Sequence, residues 1–298
     1  MNWIFYAIVA HFFWALTNIG DKYIVGHRVK NPYVYLVWMT MSGIISVVFI
    51  PYIDFFIPDT QTLVYLCIAG VAYFFGGLPY IRAMQLEEPT RINVWWNLIP
   101  LFSFGLGWII FGDMLSSQQL LAFVVLVFAA FVASVHIRKK IFSFSRAFGL
   151  MVIATFSYAL YAVMLDRAMF YISFLHAFVW VHLIMFVCAG TLFISKQFRT
   201  DFFEQSYGLK GNLGGVVAGI TLLDHAGIFF HQIALSLAIP SLVFAFEGSQ
   251  VIFVFIIATL LSFFLPHIVK EEIDKKNILL KILAILLMGV GVVLLSFN

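Results

Sequence analysis

Apolar residues run through this chain in long blocks of about twenty, broken by short polar segments, and strict apolar/polar alternation is absent. Ten blocks stand out, at roughly 3–20, 33–53, 62–82, 92–111, 119–137, 148–166, 172–195, 213–236, 241–266 and 278–297. A block of about twenty apolar residues is what a helix needs to cross a hydrocarbon core of about 30 Å. Without water to satisfy the backbone, each such block must be helical, and the missing alternation excludes a membrane β-barrel. The breaks carry turn residues: Asn31-Pro32, Pro58-Asp59, Glu88-Pro89, Gly112-Asp113 and Ile239-Pro240. The pattern predicts an all-α integral membrane protein with ten transmembrane helices.

Self-similarity refines this picture. Trp14-Ala15-Leu16 followed by Asp21-Lys22 is echoed by Tyr158-Ala159-Leu160 followed by Asp166-Arg167. Val37-Trp38 is echoed by Val179-Trp180, and Ala83-Met84-Gln85-Leu86 before Pro89 by Ala234-Leu235-Ser236-Leu237 before Pro240. The echoes keep one order, which predicts two five-helix repeats, residues 1–140 and 141–298. An odd number of spans per repeat inserts the second upside down relative to the first. Inverted repeats recur in secondary transporters, with the substrate held near mid-membrane where the halves meet.

Composition agrees. Hydrophobic residues make up 63% of the 298 and charged residues 10%, against roughly a quarter charged in a soluble domain. Of the 17 Lys and Arg, all but Arg167 fall in or beside loops one, three, five, seven and nine, Arg138-Lys139-Lys140 among them. The positive-inside rule makes that face cytoplasmic and puts both termini outside. The formal net charge is only +3, and no basic, aromatic-interleaved face suits a nucleic acid. Cys67 and Cys188 both sit in apolar blocks, so no disulfide framework is implied. The N-terminus reads as a first span, because it has neither a basic leader nor a cleavage site.

The candidate chemistry lies in the polar residues within spans, where a charge costs about 2.5–3.5 kcal/mol. Asp224 and His231 are seven apart, two turns along one face, while His225 is rotated away by about 100°. Glu247 and Gln250 share a face of the ninth span. His11, Trp14 and Asn18 share one on the first, Tyr158 and Tyr161 stand opposite in repeat terms, and Asn93, Trp96, Asn97 and Pro100 form a stripe on the fourth. Together these predict a pocket with aromatic walls and a polar floor, suited to an organic cation through cation–π attraction. The other reading is structural. Asp224, His231 and Glu247 would pin helices together, and the tryptophans would belong to interfacial belts, as Trp3, Trp38, Trp108 and Trp180 are expected to do.

The Trp14-Ala15-Leu16 opening, the stretch Ala83–Arg91 with Pro89, then Pro100 and Phe111-Gly112-Asp113, resemble the drug/metabolite transporter superfamily and its EamA-type ten-helix branch. That resemblance implies a carrier in the plasma or inner membrane, with helices eight and nine lining a central cavity. Two features depart from the family pattern. Asp113 stands where the family commonly has Glu, and the equivalent acid in the second half comes late, at Glu271 or Glu272. Family habit also puts the termini inside, against the charge bias.

No hydrolase, zincin or phosphate-cradling motif occurs, so no cofactor, metal or catalytic group is expected and energy must come from a proton or solute gradient, or from exchange. The functional expectation is a secondary transporter of a small polar metabolite, of amino-acid or organic-cation type, working by alternating access. The rivals are an intramembrane lipid-modifying enzyme using Asp224 and His231, and a non-transporting scaffold subunit.

Overall fold

The computed structural model describes residues 2–86, 89–134, 146–209, 212–264 and 275–296. Arg138-Lys139-Lys140, Glu87, Glu88, Lys270, Glu271, Glu272 and the 140/141 repeat boundary lie outside them. The chain is 88% helical with no strands among the described residues. Eight helical segments are long and apolar enough to cross a membrane, and two shorter apolar ones, Leu98–Phe111 and Ser117–Ala133, accompany them. Within the described residues, all ten blocks of the sequence are therefore largely helical.

The first half comprises α1 (Asn2–His27), α2 (Pro32–Ser42), α3 (Thr60–Leu86), α4 (Pro89–Trp96), α5 (Leu98–Leu106) and α6 (Ser117–Ser134). α2 continues as a ten-residue 3-10 helix, Gly43–Tyr52, and α5 ends in a π turn, Gly107–Phe111. Runs of 3-10 geometry longer than three or four residues are uncommon. The second half comprises α7 (Arg146–Met169), α8 (Phe174–Thr191), α9 (Lys196–Tyr207), α10 (Asn212–Leu235), α11 (Pro240–Phe244), α12 (Glu247–Phe264) and α13 (Lys275–Ser296). α9 was not expected: the sequence reads there as a loop, and the helix is polar, with only Phe198 buried.

Two of the ten blocks are not continuous helices. The fourth is interrupted at Asn97, between α4 and α5, and the ninth at Ala245-Phe246, between α11 and α12. Glu247 is therefore the first residue of a helix rather than a position two turns inside one. The stripe read along the fourth block is split at Asn97.

α1 lies against α10 and α12, α7 lies against α3 and α5, and α6 and α13 pack on each other. The close crossings use small residues, as membrane helices do when no hydrophobic drive separates helix from lipid. A Cβ on Gly248 would stand 2.8 Å from Ala130 Cα, and one on Gly227 would stand 2.6 Å from the Trp14 indole. Lys281, buried at the start of α13, donates to the Ala133 carbonyl near the end of α6 and lies 5.6 Å above the Phe255 ring. A cation at a helix C-terminus is favourably placed.

Outside the spans, Asp59 caps α3. It accepts from the backbone N–H groups of Gln61 at 2.9 Å and Thr62 at 3.1 Å, and from the Thr62 hydroxyl at 2.6 Å. These donors, the Thr62 hydroxyl first, hold its carboxyl below the usual range. The cap is therefore in place above the ordinary carboxylate pKa and is lost as pH falls through the depressed value.

Gly248→Val must push α12 off a backbone that cannot yield, at a cost of about 1–3 kcal/mol. Gly219→Ala, mid-helix where a Cβ would meet nothing within 4 Å, should not destabilise and should favour the helix by about 0.5–1 kcal/mol. Thermal unfolding in detergent compares them, and equal melting temperatures would refute the close-contact account.

Candidate functional site: an aromatic, acidic cavity between the halves

A half-open cavity of about 100 Å³ lies between residues of the first and second halves of the chain, lined from α1, α3, α4, α5, α7, α10, α11 and α12. It has room for several water molecules. Nine of the thirteen residues assigned to a pocket from the sequence line it, Trp14, Asn18, Trp96, Tyr158, Tyr161, Asp224, His231, Glu247 and Gln250, while His11, Asn93 and Pro100 do not. Nor does Asn97. It sits at the interruption of the fourth block, fully buried, with its amide donating to the Ala130 carbonyl at 3.4 Å.

One wall is a chain of ring contacts. Tyr80 meets Trp96 at 4.9 Å, Trp96 meets Tyr158 at 5.3 Å, and Tyr73 meets Tyr158 at 5.0 Å and Tyr161 at 4.8 Å. The interplanar angles of 51–87° are edge-to-face or tilted rather than parallel, the arrangement that favours aromatic pairs. Buried Gln232 donates to the Tyr161 hydroxyl at 2.8 Å and fixes that ring from behind.

Three carboxyl groups face the cavity: Asp21, Asp224 and Glu247. No Lys or Arg is among its described lining residues. Asp21 accepts from the Tyr35 hydroxyl at 2.5 Å and from Tyr80 at 3.4 Å. Asp224 is beside Trp14, and one of its oxygens stands 3.9 Å from His225 Nδ1, too far for a hydrogen bond. Glu247 Oε2 is also 3.9 Å from its nearest histidine nitrogen, Nδ1 of His11. His231 stacks between Trp14 at 4.9 Å and Phe244 at 4.7 Å. Both of its ring nitrogens are buried without a hydrogen-bond partner, a costly state that marks a polar position held for some purpose. His225 does not line the cavity. Its Nε2 is 3.2 Å from the Ser42 hydroxyl and its ring 5.6 Å from that of His182.

Sequence reasoning missed Asp21, Tyr73 and Tyr80. The face His11, Trp14, Asn18 continues at Asp21, three residues on, but the first span was ended at residue 20, whereas α1 runs to His27. Tyr73 and Tyr80 are seven apart on α3, the spacing that identified Asp224 and His231.

The halves are also tied together at both faces. On the basic face, Gln205 of α9 accepts from the backbone N–H groups of Lys30 and Asn31 at 2.8 and 3.2 Å. Asn31 donates to Asp201 at 2.8 Å and the Trp38 indole to Ser206 at 2.9 Å. Beneath this latch lies a larger cavity of about 370 Å³ that meets Arg28, Lys30, Asp201 and Glu204. It lies at the surface and carries both signs of charge, so it selects no ligand. On the opposite face, Arg167 pairs with Asp113 and stacks over Phe111 at 4.2 Å. There His176 also meets the Asp54 carbonyl at 2.9 Å, and the Trp180 indole donates to the Phe56 carbonyl at 3.1 Å. Trp38 and Trp180, expected as belt residues, thus tie the halves together.

The interrupted fourth and ninth blocks and the carboxyl groups facing the cavity belong to a nearly all-helical fold with eight candidate membrane spans among the described residues. Residues 1–135 match the model of the EamA-like transporter family. A solved structure described only as "Crystal structure of protein" has the same fold, with a TM-score of 0.68 over 100% of this chain and 96% of that one at 11% identity. No curated protein matches the chain in sequence.

Asp113→Asn should open the Arg167 face. A cysteine at Ser241, buried nearby, should react with a water-soluble maleimide several-fold faster, and the exchanged pair Asp113→Arg with Arg167→Asp should restore protection. Unchanged reactivity in the single variant would show that the ion pair closes nothing.

Proposed function

We propose that the protein is a secondary active transporter of a small polar metabolite carrying a positive charge, built from repeats at 1–140 and 141–298 that rock about the central cavity. The supporting observation is the cavity itself, a half-open space formed by both halves, with Asp224 and Glu247 on the second half facing aromatic rings from the first. An isolated carboxylate in hydrocarbon is strongly disfavoured, so the apolar alternative would be more stable at either position. Their retention fits a site that exchanges protons for a cation. The latches on the two faces fit alternating access, since each release would open one side while the other holds. A lipid-modifying enzyme would need a path for an acyl chain to Asp224 and His231, and a scaffold would need no cavity. The charge bias supports both termini outside, and the resemblance to EamA-type carriers supports a plasma or inner membrane location.

Glu247→Gln keeps shape and removes charge. Binding of a cationic solute, read by thermal stabilisation across a panel of amines and amino acids, should weaken by at least ~10-fold, or 1.4 kcal/mol. Normal transport by the folded variant in proteoliposomes at every pH would refute this reading. Asp224→Asn should lose accumulation driven by a pH gradient while keeping counterflow at saturating solute, and full accumulation would leave Asp224 a structural role. For orientation, Lys30→Cys and Gln61→Cys, with both native cysteines replaced, should label from opposite sides. Labelling of position 30 from outside intact cells would reverse the assignment.

A further inference from the structure

The three carboxyl groups are not equivalent, and their placement says more about the solute than its sign of charge. Asp21 is already held by two phenols, Tyr35 and Tyr80, and belongs to the wall. Asp224 and Glu247 face the cavity with no basic side chain among its described lining residues. α1 and α10 run antiparallel side by side. Gly20 is level with Ile220 and Trp14 with Gly227, and the His11 and His231 rings are 6.2 Å apart. Glu247 is 3.9 Å from His11, so it sits at the level of His231. Asp224 is seven residues, two helical turns, from His231. The two carboxyl groups therefore stand on the order of 10 Å apart along the cavity, with the Tyr73, Trp96 and Tyr158 rings forming the wall.

Resting on the transporter reading, we propose that the solute is a linear α,ω-diamine, with one ammonium on Asp224 and the other on Glu247. A single cation would leave one buried carboxylate uncompensated or obliged to keep its proton. An amino acid would bring a third negative group into a space whose described lining offers no Lys or Arg. A dication balances both acids. The length agrees: the nitrogens of extended 1,4-diaminobutane are about 6 Å apart. A charge-assisted hydrogen bond of ~2.8 Å at each end extends the reach to about 12 Å between oxygens. Between the ends, the methylene chain lies along the rings, whose faces also attract the ammonium groups.

The test is binding to purified protein of 1,4-diaminobutane, n-butylamine and α,ω-diamines of three to eight carbons. The unmodified protein should bind the four- or five-carbon diamine at least ~10-fold more tightly than n-butylamine and should discriminate against the eight-carbon chain. This comparison needs no variant and so does not depend on one folding. Asp224→Asn and Glu247→Gln, checked by thermal unfolding, should each weaken the diamine by at least ~10-fold and bring it close to the monoamine. Equal affinity for butylamine and the diamines, or discrimination that survives both substitutions, would overturn the proposal. Glu247-dependent transport of a monoamine or amino acid in proteoliposomes, without diamine preference, would overturn it and leave the transporter reading standing. Movement of no solute in that panel would remove both.

Discussion

Hydrocarbon offers nothing to a polar group, and this constraint governs the whole molecule. Every backbone donor must be satisfied within its own helix, so the chain can depart from helix only where protein or a cavity covers the departure. The two interruptions, at Asn97 and at Ala245-Phe246, lie where the halves face each other and not toward lipid. The same constraint selects side chains. Asp21 is tolerable because two tyrosines donate to it, and Lys281 because the end of α6 offers a carbonyl. Asp224, beside the Trp14 indole, and Glu247, 3.9 Å from His11, meet no Lys or Arg among the described lining residues, which is why they direct attention to the cavity.

Close packing follows from that constraint. Lipid is as apolar as leucine, so helices adhere by fit and not by escape from water. Gly248 brings α12 onto α6 while Glu247, its neighbour, is directed to the cavity. The contact that holds the ninth block in place and the acid that gives the site its charge are thus adjacent in sequence. Trp14 does similar double duty, lying against Gly227 and forming the wall beside Asp224.

The spans were legible because hydrophobic blocks report membrane thickness directly. The residues of the cavity were nearly as legible, because a polar group inside such a block is rare enough to stand out. Asp21 was hidden by a boundary error: α1 extends seven residues beyond the predicted end, a stretch holding Asp21, Lys22 and Arg28's partner Tyr23, whose polarity reads as loop. α9 was hidden because its apolar face is reduced to Phe198 and Phe202, too short a period to stand out in a polar stretch. Its role comes from Asp201, Gln205 and Ser206 meeting residues about 170 positions away, information that no local pattern carries. The interruption at Asn97 was likewise not marked, since Asn is a common enough residue in a polar stripe.

The ten-residue 3-10 helix that completes α2 has a mechanical consequence. Each residue in that geometry advances about 2.0 Å, against 1.5 Å in an α-helix, so Gly43–Tyr52 is about 5 Å longer than the same residues would be if relaxed. The segment begins beside His182 and His225, where Gly43 leaves no room for a Cβ, and ends just before the residues that His176 and Trp180 hold. It is in effect a stretched spring between the membrane centre and one of its surfaces. An α-helical form would draw Asp54–Phe56 inward by about 5 Å only by exchanging the i→i+3 hydrogen bonds for i→i+4 ones, and Pro51, inside the segment, opposes that exchange.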